Sequence, residues 1–459
     1  MKKSTRTISG VTPVAVMTGP MPCPGGCIYC PTYKDTPQSY TPESPAVLRA
    51  IRCGYDAGKQ VEIRLRTLAE MGHPVDKVEL IVMGGTFLSA PEDYQYLFIK
   101  ACYDALNGRA SGSLAQAQAV NETAQNRCVG LCIETRPDCC GSEEIRRMLE
   151  FGATRVELGV QMIDDDVYRE VGRGHLVEDV ITATTLLKSH GFKVHYHWMP
   201  GLPGSSPEKD LALSSKLFSD ESFRPDGLKI YPTMVVSGTI LEKWFREGRY
   251  QPYPDDIMIG LIADIKALVP GYVRISRVLR DIPSKYIVGG LKDSLRDRVR
   301  DIMEQRGEKC RCIRCREYGH RVKLGMKTGE PRLKRADYRA SGGDEVFLSF
   351  EDEQDTLFGL LRLRIQPSPP VILAGASGRT AIIRELHVYG QEMPLGQRGD
   401  SAVQHRGVGH LLLAQAERIA REESGVGEIL VLSGVGAREY YCDYGYVLRD
   451  GYMTKRLTG

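Results

Sequence analysis

The sequence predicts an α/β protein: an incomplete (β/α) barrel, then a basic cysteine-bearing linker, then a small α+β domain at the C-terminus. Three observations carry this. Short β-rich runs alternate with amphipathic segments between about residues 75 and 278, a charge excess is confined to residues 266–340, and from about Glu345 strand-like runs surround one long helix. A chain of 459 residues accommodates two or three domains at about 100–200 residues each. With 42% hydrophobic and 26% charged residues it reads as globular, not disordered. No apolar run approaches the ~20 residues of a spanning helix, and the stretch behind Lys2 and Lys3 is short and broken by Pro13. The expected location is therefore cytoplasmic, with no membrane partner. Thirteen cysteines in such a chain point to metal ligands or thiol chemistry before disulfides.

The expected barrel strands are VELIVM (78–83), GLCIE (130–134), RVELGV (155–160), KVHYHWM (193–199), GLKIYP (227–232) and YVRISRV (272–278). That is about six where a complete barrel has eight. Helices between them carry start and stop signals, such as Ser142 followed by Glu143 and Glu144, and Leu176 to His190 stopped by Gly191. Functional groups of such barrels sit at the C-terminal ends of the strands. Residues 266–340 hold 21 Lys and Arg against 9 Asp and Glu, so the total of +3 conceals a +12 belt on a −9 remainder. Charge runs are ordinarily solvated faces, but an excess this large favours a polyanion-binding surface. Beyond it come EVFLSFED, LFGLLRLRI, TAIIRELHVYG, a helix near 407–423, EILVLSG and YMTKRL. The expected division is 1–265, 266–340 and 341–459.

Three motifs carry chemistry. Cys23, Cys27 and Cys30 form C-x3-C-x2-C in a Gly- and Pro-rich loop. Three thiolates can hold three irons of a 4Fe–4S cluster and leave the fourth open to a chelating ligand; structural zinc, the alternative, lacks a fourth ligand nearby. Cys310, Cys312, Cys315 and His320 form C-x-C-x2-C-x4-H, which suits a tetrahedral zinc (Zn) site; a second iron–sulfur cluster and plain surface thiols stay open. Gln404-His405-Arg406-Gly407-Val408-Gly409 precedes HLLLAQAERIARE, and glycines at a helix N-terminus let backbone amides bind a pyrophosphate, or simply start a helix.

The first triplet resembles the radical S-adenosylmethionine (SAM) superfamily, in which S-adenosyl-L-methionine binds the open iron. Gly84-Gly85-Thr86 looks like that family's glycine motif, with Thr where an acidic residue is more usual. Glu134-Thr135-Arg136-Pro137, Glu157 to Gln161 and His197 to Gly204 fall at successive strand ends, and Glu134, Arg136 and Gln161 are the implied SAM contacts. The glycine turn is similar to the Q/R-x-x-G-x-G/A signature of GNAT-type acetyltransferases. This implies acetyl-CoA on Glu385, Leu386, His387, Val388 and Tyr389, and on Gln404, Arg406, Gly407, Val408, Gly409 and His410. Tyr440 and Tyr441, in AREYYCDYGY, become the catalytic candidates near the thioester, with core packing as the alternative.

The combination, with HPVDKVELIVMGGTF, KCRCIRCRE, QHRGVGHLL and SGVGAREYYCDYGY, resembles the Elongator catalytic subunit family over nearly residues 10 to 459. These are tRNA carboxymethyltransferases of wobble uridine 34. The resemblance implies a SAM-derived radical that takes hydrogen from the acetyl methyl group, after which the carbon adds to C5 of the base. Lys77 matches a lysine associated with acetyl-CoA, with a solvated charge at a strand start as the alternative. Arg274, Arg277, Arg280, Lys285, Arg311, Arg314 and Arg316 are the expected contacts to the tRNA anticodon arm. Eukaryotic members carry a longer basic N-terminal extension, so here the belt is expected to supply more of the affinity. The expected cleft lies between barrel mouth, belt and acetyltransferase domain. A protein lysine acetyltransferase with a scaffolding iron–sulfur domain is the competing function. A homodimer and accessory subunits both stay open.

Overall fold

In a computed structural model the described residues are 10–292, 295–371, 378–389 and 407–457. The barrel consists of β1 (Thr12–Met17), β2 (Lys77–Met83), β3 (Arg127–Thr135), β4 (Arg155–Gln161), β5 (Lys193–Trp198) and β6 (Gly227–Ile230), joined by β8 (Arg274–Val278). The short β7 (Val235–Val236) pairs outside the sheet with β9 (Ile287–Gly289). The order β1-β2-β3-β4-β5-β6-β8 follows the chain and every neighbour is parallel. Among the described residues the sheet thus has seven strands, one more than the sequence suggested. The extra one is β1, whose TPVAVM contains Pro13, a residue that cannot donate to a ladder. Pro13 is tolerated because, among the described residues, β1 is an edge strand that pairs with β2 alone.

Alternation along the strands decides what faces where. Val78, Leu80 and Val82, Val156, Leu158 and Val160, and Val194, Tyr196 and Trp198 are fully buried in the core. Their alternates Lys77 and Glu79, Arg155 and Glu157, and His195 and His197 line an open lumen. The outer layer includes helices Ala57–Glu70, Glu92–Asn107, Val177–Ser189 and Pro207–Ser219. Asp56 and Ser206 cap two of them by accepting from the amides of Lys59 at 2.9 Å and Lys209 at 3.2 Å. Among the described residues no helix is long and apolar enough to cross a membrane.

The C-terminal sheet holds β10 (Arg332–Ala340), β11 (Gly343–Glu351), β12 (Leu357–Gln366), β13 (Thr380–Val388), β14 (Glu428–Val431), β15 (Val447–Arg449) and β16 (Tyr452–Arg456). Its order is β10-β11-β12-β13-β14-β16-β15, antiparallel except for β13 with β14. Helix Val408–Arg418 buries Val408, Leu412, Leu413 and Ala416 against it. The edge strand β10 reads RLKRADYRA, which in sequence is indistinguishable from basic linker; a charged edge discourages pairing with other chains. The belt therefore begins in helix Asp255–Leu268, passes through β8 of one sheet and ends in β10 of the other.

The two sheets are joined by a buried ion network. Arg384 of β13 grips Asp226 bidentately at 2.7 and 2.8 Å and Glu345 at 2.8 Å. Arg362 adds bonds to the Tyr272 carbonyl at 2.7 Å and to Glu385 at 2.8 Å. Arg384 and Asp226 are both 0% exposed in their side chains. A second contact is backbone on backbone: a Cβ at Gly434 would lie 2.2 Å from the carbonyl oxygen of Val129, so only glycine fits. Asp226 precedes β6 and also accepts from the amide of Val194 in β5. The C-terminal domain consequently caps the N-terminal ends of the barrel strands.

Removing one partner from a buried ion pair strands the other charge. Arg384→Met should cost about 3–5 kcal/mol of stability, read as an earlier thermal unfolding transition. A loss below about 1 kcal/mol would show that the network does not hold the domains together.

Candidate active site

A cavity of about 990 Å³ runs from the C-terminal ends of the barrel strands, down the lumen, to the wall of the C-terminal domain. Cys23, Cys27 and Cys30 line one end, and Glu385, His387, Tyr389, Gly407, Gly409 and Tyr440 the other. This differs from the expected cleft: the acetyltransferase-like domain sits opposite the cysteine loop, and the polar lumen joins them. An interior lined by charged side chains does not collapse as an apolar barrel core does. The belt flanks the gap between edge strands β1 and β8, through Arg277, Arg280 and Arg314.

At the cysteine end the amide of Ile28 donates to Val171 at 3.0 Å and that of Leu241 to Ile28 at 2.9 Å. Arg173 places Nη1 3.3 Å from Cys27 Sγ. The hydrogen bond from Cys30, followed by the charge of Arg173, outweighs burial and brings the Cys27 thiol down to about 4. Cys23 sits 3.6 Å from Thr86 Oγ1. Three thiolates without a fourth protein ligand suit a cluster with one open iron better than a closed single-ion site. Among the described residues the buried Thr18 hydroxyl and Nη1 of Arg136 lack hydrogen-bond partners, so polar groups stand available beside the loop.

The strand ends beside it hold the expected SAM residues. Gly84 has φ 141°, and a Cβ there would meet Thr18 Oγ1 at 1.8 Å. Gln161 ends β4 with φ 68°, a left-handed conformation rare outside glycine. Glu134 accepts from Tyr40 at 2.8 Å and from Lys229 Nζ at 3.1 Å. Arg136 is gripped by Asp138 at 2.7 and 2.9 Å and donates to the Arg173 carbonyl at 2.8 Å, so it braces the cysteine loop.

Deeper in the lumen, Glu157 contacts Lys229 and lies 3.2 Å from His197 and 3.5 Å from Arg155, which also pairs with Glu79 at 2.6 Å. Against the penalty of burial, Lys229, His197 and Arg155 hold the Glu157 carboxyl well below the usual carboxylate range. Ligand atoms of Glu134, Glu157 and His197 lie within 4.8 Å of one another, a grouping that could hold a metal ion. The Lys229 ammonium contacts both carboxylates and so supplies that positive charge.

At the other end, β13 pairs with β14 only over Ala381–Ile383, and the two parallel strands part beyond that point. The opening lies along Glu385 to Tyr389, beside Gly407, the left-handed cap of helix Val408–Arg418. Glu385 is tied to Lys193 at 3.3 Å, and Lys77 lines the lumen with it. Tyr440 lies beside Gly409, where a Cβ would meet its hydroxyl at 2.8 Å, while Tyr441 packs into the domain core. Burial pushes both phenols upward, so at neutral pH they are donors, not bases. His410 stacks on Tyr444 with centroids 5.2 Å apart, and Leu386 and Val388 also line the wall. Gln404 and Arg406 lie outside the described residues.

Sulfurs of Cys310, Cys312 and Cys315 lie within 4.8 Å of one another. Zinc–sulfur bonds of about 2.3 Å place tetrahedral sulfurs about 3.8 Å apart, so the three fit one ion. His320 does not join them: the chain turns at Glu317, and His320 Nε2 pairs with Glu317 at 3.1 Å on the cavity wall. Among the expected tRNA contacts Arg316 is corrected. It is 2% exposed, paired with Glu351 at 2.7 Å and bonded to the Gly271 and Arg311 carbonyls, hence an internal strut. Arg274 pairs with Glu317 at 2.8 Å, Arg277 with Asp281 at 2.8 Å, Arg280 with Ser39 at 2.9 Å and Lys285 with Glu43. Arg311 is exposed, and Arg314 is lowered to about 10 by burial and by neighbouring Arg296 and Arg274. Arg173, Lys229, Arg155 and Tyr40 escaped the sequence reading. Lys229 and Arg155 are polar residues in apolar strands, a visible signal; Arg173 shows only as Gly172-Arg173-Gly174.

Fold and cysteine loop together define a radical SAM protein: residues 22–213 match the Radical SAM superfamily and 225–306 its Radical_SAM C-terminal domain. A 4Fe–4S cluster and SAM are the cofactors of that group. A tRNA uridine(34) acetyltransferase of Dehalococcoides mccartyi (strain CBDB1) is 68% identical over 458 residues, covering 100% of both chains. Elongator complex protein 3 of Homo sapiens is 44% identical over 99% of this chain and 86% of its own. The solved structure of the archaeal Methanocaldococcus infernus Elp3 superposes with TM-score 0.87 at 46% identity, covering 98% of this chain and 100% of that one. The chain belongs to the family of tRNA uridine(34) acetyltransferases and Elongator complex protein 3.

If Lys229 supplies the positive charge in the lumen, Lys229→Met should bind Mn²⁺ between Glu134, Glu157 and His197, seen by electron paramagnetic resonance. Equal Mn²⁺ binding by the parent protein would contradict this.

Proposed function

We propose that the chain converts uridine 34 of tRNA to 5-carboxymethyluridine, with acetyl-CoA as donor of the two-carbon unit. The observation that carries this reading is the one cavity onto which both the cysteine loop and the Gly407–His410 turn open. Acyl transfer alone would need only the second of these. The relatives named tRNA uridine(34) acetyltransferase support wobble uridine as the substrate. When bound, the cluster with SAM supplies one-electron carbon–sulfur cleavage and a hydrogen-abstracting radical, and acetyl-CoA supplies the methyl group.

In this reading the chain's own residues bind and orient. Cys23, Cys27 and Cys30 hold the irons. The backbone of Gly84, Gly85 and Thr86, with Glu134, Arg136 and Gln161, receives SAM at the strand ends. Strand residues Glu385 to Tyr389 and helix-start residues Gly407 to His410 hold the pantetheine and pyrophosphate, with Lys77 at the same end of the lumen. Gln404 and Arg406 complete that set. Tyr440, as a protonated phenol, donates to the thioester; Tyr441 supports it from the core side. The parting of β13 and β14 favours an extended pantetheine arm there. Zinc is assigned to Cys310, Cys312 and Cys315, where it ties the belt to β8 beside the Ile313–Val273 hydrogen bond of 2.9 Å. Arg274, Arg277, Arg280, Lys285, Arg311 and Arg314 contact phosphates of the anticodon arm, and the wobble base is splayed into the cavity.

An anaerobic reaction with reconstituted protein, SAM, reductant, tRNA and methyl-deuterated acetyl-CoA tests this by mass spectrometry. Carboxymethyluridine in the tRNA and deuterium in 5′-deoxyadenosine are expected. Absence of both, with a verified cluster, would overturn the reading.

A further inference from the structure

Arg173 is 5% exposed and occupies the turn between helices Asp165–Glu170 and Val177–Ser189. Its amide donates to Tyr168 at 2.9 Å and its carbonyl accepts from Arg136 at 2.8 Å, so the backbone is fixed from both sides. The guanidinium spans two parts of the site. Nη1 lies 3.3 Å from Cys27 Sγ, and Nη2 donates to the Gly159 carbonyl in β4, two residues before Gln161. Nε is buried without a hydrogen-bond partner. Among the described residues no carboxylate forms an ion pair with Arg173, unlike Arg136, which Asp138 neutralises. A positive charge without a carboxylate partner is thus held, nearly buried, against the cysteine loop. The neighbouring amide of Ile28, bonded to Val171, keeps loop and turn in register.

We propose that Arg173 is a positioning residue that sets the reduction potential of the iron–sulfur cluster, through an N–H to Cys27 sulfur bond and a charge that no carboxylate offsets. The inference rests on the reading that Cys23, Cys27 and Cys30 hold that cluster. Reduction adds one electron from an external reductant and breaks no bond in the protein, so the cluster gains one negative charge. Hydrogen bonds to ligand sulfur and a nearby cation stabilise the more negative state and raise the potential. Because the same guanidinium holds the end of β4, it couples that potential to the strand end that carries Gln161.

The test is a redox titration of the reconstituted protein, followed by electron paramagnetic resonance before SAM is added, with iron and sulfide measured first. Arg173→Gln should lower the reduced-to-oxidised ratio at fixed potential at least tenfold, a shift of 59 mV for one electron, at unchanged iron content. An unchanged midpoint at full iron content would overturn the inference and leave the cluster reading standing; a parent protein that holds no iron would overturn the reading itself. Should Arg173→Gln fail to load, parent protein labelled with ¹⁵N-arginine decides. The reduced cluster should show a ¹⁵N hyperfine coupling that is lost in Arg173→Lys, and its absence from the parent would overturn the inference.

Discussion

The bidentate grip of Arg384 on Asp226 is the contact on which the shared cavity depends. Both groups are out of water, and Asp226 is also bonded to β5 through the amide of Val194, so the guanidinium is fixed to the base of the barrel. Replacing such a network by apolar residues of similar volume is often neutral for stability, so its value here is geometric. A planar fork meets a carboxylate in one orientation, and Glu345, Arg362 and Glu385 extend that match across three strands. Gly434, pressed on the carbonyl of Val129, admits no other approach. The C-terminal domain is therefore held with its parted strands over the lumen.

What the lumen offers follows from a period of two. The barrel strands send apolar residues into the core, and β2 to β6 also send charged ones inward, where they are balanced: Lys229 between Glu134 and Glu157, Arg155 between Glu157 and Glu79. Charges paired in this way line an open cavity instead of an apolar core.

Much of this was legible. The six apolar runs are strands of the parallel sheet, the cysteine triplet lies at the strand ends, and the helix near 407–423 packs under the second sheet. β1 was hidden by Pro13, which is harmless only at an edge, and β10 by a charge pattern that an exposed edge strand shares with a linker. Arg316 and His320 show the limit of reading by residue type. Both fit their motifs, yet one is spent on Glu351 and the other on Glu317, because a turn at Glu317 redirects the chain. Which end of the barrel the second domain would cap was also illegible: Asp226 reads as a turn residue in Pro225-Asp226-Gly227, and its partner lies 158 residues away.

The proposed function requires the cysteine loop and the Gly407–His410 turn to communicate through one cavity, and obstruction of the lumen tests that requirement. Ser276 lies on the lumen wall of β8, between Arg274 and Arg277. In Ser276→Trp, cluster content, SAM cleavage and acetyl-CoA binding should persist, while deuterium transfer from the acetyl methyl group falls by at least tenfold. Undiminished transfer in that variant would contradict a shared cavity.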